Sequence, residues 1–541
     1  MKNIVNIINF VRAVEPRPGR NIDLQGVVKE QIRLLRQNHL RGTFLLQYDA
    51  LKDNDYIELM KSCEDICEAG IWFEVVQPLV EAVGEIWRGR YSWDWYNDVG
   101  FLIGYAPEIR RKLIDEAMET FREIFGDYPE SVGSWHIDAV SMAYLAEKYH
   151  VKACCICRDQ VGTDGYTMQG GYYNQAYYPS KKNMFCPANT KENQIMMPVF
   201  RMLGSDAIYA YDFQVIDYGL EKCPTLEPAH YGGTKIWCNW FLDETFSGNG
   251  LSMQYTQAGQ ENSFGWPRMG DGYIYQISKI KELADQGKVE VMTLGESGQW
   301  YLSQYELTPP GALTALSDWH DAGHKSIWYS SRFYRVNLFW ENGVVRIRDL
   351  YLFDDSFEEK YLYERCETHA CEFRNLPVMD GVLYTNPKER RAAGIYLTDG
   401  EKDIQWEHLN YVEKDGRPEV YLSNGDYKAA IYLEEDVITI VSDVSGLSME
   451  AVYDAQKVFG KYHADTSKFT NHNNGSAVIT YVTEVDVQKN CITFLFDGKK
   501  YGLNAEKGYF EGAALCGEKG TLRIGVMYDD VNKDGLAGLG K

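Results

Sequence analysis

Eight apolar runs punctuate the first 300 or so residues, at 4–10, 42–47, 71–76, 131–135, 151–157, 196–203, 251–256 and 289–294. Runs of this length predict buried strands. Between several of them the apolar residues recur at three- and four-residue spacing, as over 24–38 and 106–125. The second of these is entered through Ala106-Pro107-Glu108 and left through Gly126-Asp127-Tyr128-Pro129, start and stop signals of a helix. Repeated strand–helix units imply a parallel sheet with right-handed crossovers. Seven or eight such strands favour closure into a barrel, whose site belongs at the carboxyl ends of the strands. From about Trp328 the pattern changes. Stretches 332–340 and 430–433 alternate or are β-branched, and Asn342-Gly343, Asp399-Gly400, Asn424-Gly425 and Asp497-Gly498 supply hairpin turns. The expected fold is therefore α/β: a (β/α)7-8 barrel over 1–306, a linker over 307–327 opened by Pro309-Pro310-Gly311, and an antiparallel β-sandwich over 328–541.

A chain of 541 residues is too long for one ordinary core, in keeping with that division. Its net charge of −23 argues against nucleic acid or an anionic membrane as partner. No stretch approaches the roughly 18 apolar residues of a membrane helix. Asn interrupts the apolar N-terminus and no small-residue cleavage site follows, which reads as a first strand rather than a signal peptide and points to a cytoplasmic location. Nothing fixes the oligomeric state, and a homo-oligomer is compatible with the sequence. The twelve cysteines are scattered without finger spacing, so buried thiols are expected and structural zinc is not. Aromatic residues reach 14%, many in polar, glycine-rich stretches such as 170–174, which suits a cleft lined for sugar rings.

Nearly every expected strand end carries an ionisable group. Strand by strand these are Arg12 and Glu15, Asp49, Glu74 (with Gln77), His136 and Asp138 beside Trp135, Arg158 and Asp159, Asp206 and Asp212, Glu261, and Glu296. A purely structural barrel would place more Gly, Ser, Thr and Asn there as helix caps. Two carboxylates on one strand-end face are what acid/base cleavage of a glycosidic bond requires. Trp93, Trp95, Trp135 and Trp266 are the candidate ring-stacking platforms, and His136 is placed to bond substrate hydroxyls. His320 and His324 have the spacing of one helical face without a metalloprotease signature and read as a surface pair. Asp530 to Gly535 matches half a calcium loop, but Lys541 stands where the bidentate Glu belongs, so a tight turn is expected.

Trp135-His136-Ile137-Asp138, with the stretch 142–151 that follows, resembles the Trp-x-Pro-Glu strand end of glycoside hydrolase family 57, where the final carboxylate is the nucleophile. Glu261-x-x-Phe264-Gly265-Trp266 is similar to that family's acid/base segment, and 289–296 to its last barrel strand. Arg41 to Leu46 resembles the second strand of polysaccharide deacetylases. The resemblance implies the distorted (β/α)7-type barrel of the glycoside hydrolase/deacetylase superfamily over 1–300. Asp138 replaces the family's Glu, and Ile137 its Pro. Deacetylases of this kind hold a metal with an Asp-Asp pair after strand one and His-x-x-x-His after strand three. Here those places read Arg12-Ala13-Val14-Glu15 and Glu74-Val75-Val76-Gln77, a poor zinc site. The implied function is a metal-independent, cofactor-free glycoside hydrolase acting on a carbohydrate substrate, an oligosaccharide or small glycoside. Asp138 would attack and Glu261 would serve as acid and base, with Arg12 or Arg158 keeping a neighbouring carboxylate ionised. Retention needs the carboxyls roughly 5–5.5 Å apart, inversion roughly 6.5–9.5 Å. The alternatives are a carbohydrate deacetylase and a catalytically silent sugar-binding protein.

Overall fold

A computed structural model describes residues 1–159, 170–202, 206–209, 234–355, 358–371, 373, 375–381, 385, 391–399, 402–444, 448–452, 469–471, 484–488, 491–496, 499–504, 514–518 and 521–525. Each of the eight apolar runs contributes a strand. They are β1 (Lys2–Val11), β2 (Gly42–Leu46), β3 (Cys67–Trp72), β4 (Ser131–Gly133), β5 (Ala153–Cys157), β7 (Val199–Met202), β8 (Met253–Ala258) and β9 (Glu290–Met292), with a two-residue β6 (Ala176–Tyr177) besides. The sheet runs β6-β7-β5-β4-β3-β2-β1-β8, and all neighbours are parallel except β6 against β7. Most of their side chains are buried on both faces, as in strands covered by crossover helices, with β9 the more exposed exception. Among the described residues no ladder joins β7 to β8, so hydrogen bonding leaves the barrel-like sheet open at that seam.

The helices are α1 (Leu24–Asn38), α2 (Tyr48–Leu51), α3 (Asn54–Lys61), α4 (Gln77–Ala82), α5 (Pro107–Phe125), α6 (Ala139–Tyr149), α7 (Lys235–Thr245), α8 (Trp266–Asp285) and α9 (Leu294–Gln304). Local chemistry sets their ends. Asp23 caps α1, while α5 starts at a proline and ends at Gly126, whose φ of 94° suits a residue without Cβ. None of the helices is long and apolar enough to cross a membrane among the described residues.

Strand β9 departs from a regular barrel. It pairs with residues 4–6 of β1, while β2 takes residues 8–11, so β9 lies below β2. The chain then turns beneath the sheet. Leu294 N–H donates to Thr43 Oγ1 and Gly295 N–H to Glu68, both near the amino ends of their strands. Helix α9 thus covers the end of the sheet opposite the site.

The later residues form sheets that are antiparallel apart from one pair, 469–471 against 484–488. The first contains β10 (Gly311–Ala315), β11 (Lys325–Ser330), β12 (Tyr334–Glu341), β13 (Val344–Leu352), β14 (Leu376–Asp380) and β15 (Gly394–Thr398). Asn342 and Gly343 both have positive φ, 51° and 81°, as a two-residue turn between β12 and β13 demands. The stretch expected as a linker is not one: Gly311 to Ala315 pairs residue by residue with β11, because the segment after the prolines has the apolar character of a strand. This sheet docks near the open seam. Gln175 Nε2 donates to Met253 O on β8 and to Ala312 O on β10, and Asp159 meets Arg201 at 3.1 Å and Arg335 at 2.7 Å.

Candidate functional site

The order β3-β2-β1-β8 decides what meets at the carboxyl ends of the strands. Arg12 follows β1 directly, Glu74 stands two residues beyond β3, and Glu261 three beyond β8. The turn out of β8 passes so close to β1 that a Cβ on Gly259 would lie 2.0 Å from Ile8 O, and its φ is +98°. Only glycine lets the chain reach Glu261 by that route. Asn262 then fastens the two strand ends. Its Oδ1 accepts from Arg12 N–H at 3.0 Å and its Nδ2 donates to Arg12 O at 2.8 Å.

Arg12 is the centre of the site. Its Nε donates to Glu74 Oε2 at 3.2 Å, and Nη2 to both oxygens of that carboxylate at 3.0 and 2.7 Å. Its Nη1 stands 3.1 Å from Glu261 Oε2 and donates to Ser263 Oγ at 3.0 Å. The Ser263 hydroxyl donates in turn to Glu261 Oε1 at 2.5 Å. Glu74 also accepts from Gln47 Nε2 and from the Trp135 indole N–H, each at 2.7 Å. The Arg12 guanidinium lies over the Trp93 ring, 4.1 Å from its centroid. Arg12, Glu74 and Glu261 are only 3%, 2% and 6% exposed, so their charges interact with little solvent screening.

One guanidinium serves two buried carboxylates, and the two are not treated alike. Glu74 accepts hydrogen bonds from three nitrogen-bearing side chains, Arg12, Gln47 and Trp135. Burial pushes the Glu261 carboxyl above its ordinary range; the Arg12 charge opposes this and the Glu74 charge adds to it. Burial would lower the Arg12 pKa, but Glu261 and Glu74 reverse that and raise it. Asp49, on α2 just past β2, accepts the Ala50 N–H at 2.8 Å. Although it keeps some exposure at its surface, desolvation by its surroundings pushes its carboxyl up to about 6. Unequal environments of this kind distinguish a proton donor from a fixed anion.

Other expected site residues sit elsewhere, for physical reasons. Asp138 is a helix cap: Oδ1 accepts Ser141 N–H at 3.0 Å and Arg110 Nη1 at 2.9 Å, and Oδ2 accepts the Ser141 hydroxyl at 2.7 Å. Both partners of that ion pair have fully buried side chains, so the sequence-based nucleophile is consumed by structure. His136 is packed between Phe101 and Phe373, with its Nε2 2.7 Å from Asn97 Oδ1. Burial drops its pKa to about 3, which keeps it neutral. Asp206 accepts the indole N–H groups of Trp237 and Trp319 and the backbone N–H groups of Ile208 and Tyr209. Glu296 belongs to the capping box of α9 and pairs with Arg41 at the amino end of β2, the wrong end of the sheet. The Trp266 ring packs on Tyr273 and Gly270 of its own helix. His320 and His324 lie in a loop, not on a helix, and His324 is buried between Asp318 and Glu341.

Several residues do border the cluster. Trp135 packs edge-on against Phe10 and Trp72, and Trp95 lies 5.8 Å from Trp93 and stacks with Tyr91. Arg158 is buried at the end of β5. Gln47, Asn262 and Ser263 carry no charge, and their only signal in the sequence is position, one, four and five residues past β2 and β8. Asp212 and the turn at Asp530 lie outside the described residues. Cys63, Cys67, Cys154, Cys155, Cys157, Cys186, Cys238, Cys366 and Cys371 are buried and unbridged.

The deacetylase side of the resemblance implies a metal, and the residues do not fit one. A guanidinium already stands between Glu74 and Glu261, and among the described residues no three His, Cys, Asp or Glu side chains form a group suited to hold a metal ion.

No protein-family model and no curated protein matches the chain. Solved structures do resemble it in fold. A candidate glycoside hydrolase/deacetylase from Parabacteroides distasonis aligns at 15% identity over 72% of this chain and 93% of its own, with a TM-score of 0.47. A candidate polysaccharide deacetylase from Mycobacterium smegmatis aligns at 14% identity over 57% and 92%, with a TM-score of 0.36. The GH57-type branching enzyme of Pyrococcus horikoshii aligns at 8% identity over 56% and 70%, with a TM-score of 0.32. At these scores the function has to be argued from the side chains themselves.

Proposed function

We propose that the cluster around Arg12 is the acid/base centre of a carbohydrate-active enzyme that hydrolyses a glycosidic bond. Glu261, with its raised pKa, gives its proton to the leaving glycosidic oxygen. Glu74, held in place by Arg12, Gln47 and Trp135, faces the positive charge that develops at the anomeric carbon. Asp49, with a carboxyl near 6, takes a proton from the attacking water. The C–O bond to the leaving group breaks, the bond to the water oxygen forms, and the products are a reducing sugar and an alcohol. Trp93, Trp95 and Trp135 supply apolar faces beside the centre. The observation that carries this proposal is the unequal treatment of Glu74 and Glu261 by one guanidinium. The test is turnover of a panel of aryl glycosides by wild type, Glu261→Gln and Asp49→Asn. Hydrolysis by the wild type that both substitutions cut at least a hundredfold supports the assignment, and undiminished turnover in either variant overturns its role.

A second reading, a sugar-binding protein without turnover, is favoured by the loss of Asp138 to a helix cap. In that case calorimetry would detect sugar binding in wild type and Glu261→Gln alike, with no product from either.

A further inference from the structure

The loop from β1 to α1 carries three arginines in nine residues, Arg12, Arg17 and Arg20, around one carboxylate, Glu15. Pro16 and Pro18 restrict its backbone. Arg12 is committed to Glu74 and Glu261. Arg17 grips Glu15 through its backbone N–H at 3.1 Å, through Nε at 2.6 Å and through Nη2, and its guanidinium lies over the Trp93 ring at 4.9 Å. Trp93 is the ring that also carries Arg12, so Arg17 stands next to the acid/base centre, and its charge reaches Glu261.

Arg20 differs from both. Its guanidinium has one distant ion-pair contact, 3.9 Å to Glu15, and donates no hydrogen bond among the described residues, with 43% of its side chain exposed. Glu15 is already occupied by Arg17 and nearly buried, which leaves the Arg20 guanidinium with donors open to solvent one ion pair away from Arg17. On a chain of net charge −23 the general field repels anions, so a cation beside the site is a local exception. A guanidinium offers two parallel N–H groups that match a carboxylate or sulfate ester, and no neutral sugar hydroxyl uses both equally well.

We propose that Arg20, backed by Arg17, receives an anionic substituent of the substrate, so that the glycan handled here is acidic: it carries a carboxylate or a sulfate ester. This deepens the hydrolase reading and rests on it for the identity of the site.

The experiment is calorimetric titration of the full chain with glucuronic acid, glucose 6-sulfate and glucose, for wild type, Arg20→Ala, Arg20→Lys and the remote control Arg33→Ala. The expected result is that one anionic sugar binds wild type roughly tenfold or more tightly than glucose, as a charge-assisted hydrogen bond allows. Arg20→Ala removes that margin, Arg20→Lys keeps part of it, and Arg33→Ala keeps all of it. Whichever anionic probe shows the margin identifies the substituent. No preference for either anion over glucose, including no binding of any probe, overturns the proposal, as does a margin that survives Arg20→Ala. Hydrolysis of neutral glycosides without anionic preference would sink the anion subsite and spare the hydrolase. Arg20-dependent binding of an anionic sugar without hydrolysis would do the reverse.

Discussion

Two buried arginines, Arg12 and Arg110, each hold a carboxylate that follows a strand of the parallel sheet, yet they are built for different work. Arg110 spends its donors on the carbonyls of Tyr105, Tyr361 and Glu364 and on Asp138, while Asp138 spends its oxygens on Arg110 and the first turn of α6. Glu359 completes that region by accepting the N–H groups of Ala139 and Met184. The outcome is a clamp between α5, α6 and the segment 359–364. Around Arg12 the donors go to side chains, and two carboxylates compete for one charge. A saturated network stabilises; an unevenly shared one can exchange a proton. The largest expected effect breaks the first of these. Asp138→Ala or Arg110→Ala strands a buried charge, which costs on the order of 3–5 kcal/mol. Chemical denaturation should show that loss. A variant at Asp138 that keeps wild-type stability and loses all turnover would return Asp138 to the site.

The converse holds at the second arginine. Glu261→Gln preserves shape and removes the proton, so the expected loss is in turnover, roughly 10²–10⁴-fold for one acid/base group, with a smaller change in stability. Steady-state rates and denaturation on the same preparation check both halves. Glu74→Gln should damage both, since it leaves Arg12 with only half of its charge balance.

The same comparison explains what was legible beforehand. Parallel strands are mostly buried on both faces, so they left apolar runs, and the residues after them included Arg12, Glu74 and Glu261 as candidates for one strand-end face. The sequence did not separate Asp138 from them, because a helix cap and a catalytic carboxylate occupy the same place after a strand. The deciding partner, Arg110, lies 28 positions away on another helix. Likewise Glu296 looked like a strand-end acid until β9 proved to lie below β2, a register that apolar patterning does not encode. β10 was hidden behind two prolines that suggested a linker.

Asp49 sharpens the contrast through pH. Its folded value of about 6 lies above the ordinary 3.8, so the folded protein binds more protons than the unfolded chain between those values. Stability is therefore fully supported below the ordinary value and declines as pH rises toward 6. As the base, Asp49 must be ionised to act, so turnover should fall as pH drops below about 6. Asp49→Asn should flatten the contribution to stability and abolish that acid limb in whatever activity remains, which a pH–rate profile resolves. An acid limb unchanged in the variant assigns it to another group.

The smallest effect isolates a single donor. Trp135→Phe keeps most of the ring that packs on Phe10 and Trp72 but deletes the N–H that reaches Glu74. A hydrogen bond to a charged group contributes about 1.5–3 kcal/mol, and Arg12 and Gln47 remain to hold the anion, so the loss should fall at the lower end of that range. If Glu74 acts as the fixed anion of the transition state, the loss appears in kcat more than in KM. If Glu74 is only a structural partner of Arg12, the loss appears in thermal stability and kcat stays level. Measuring both on one variant therefore separates a working site from a second clamp.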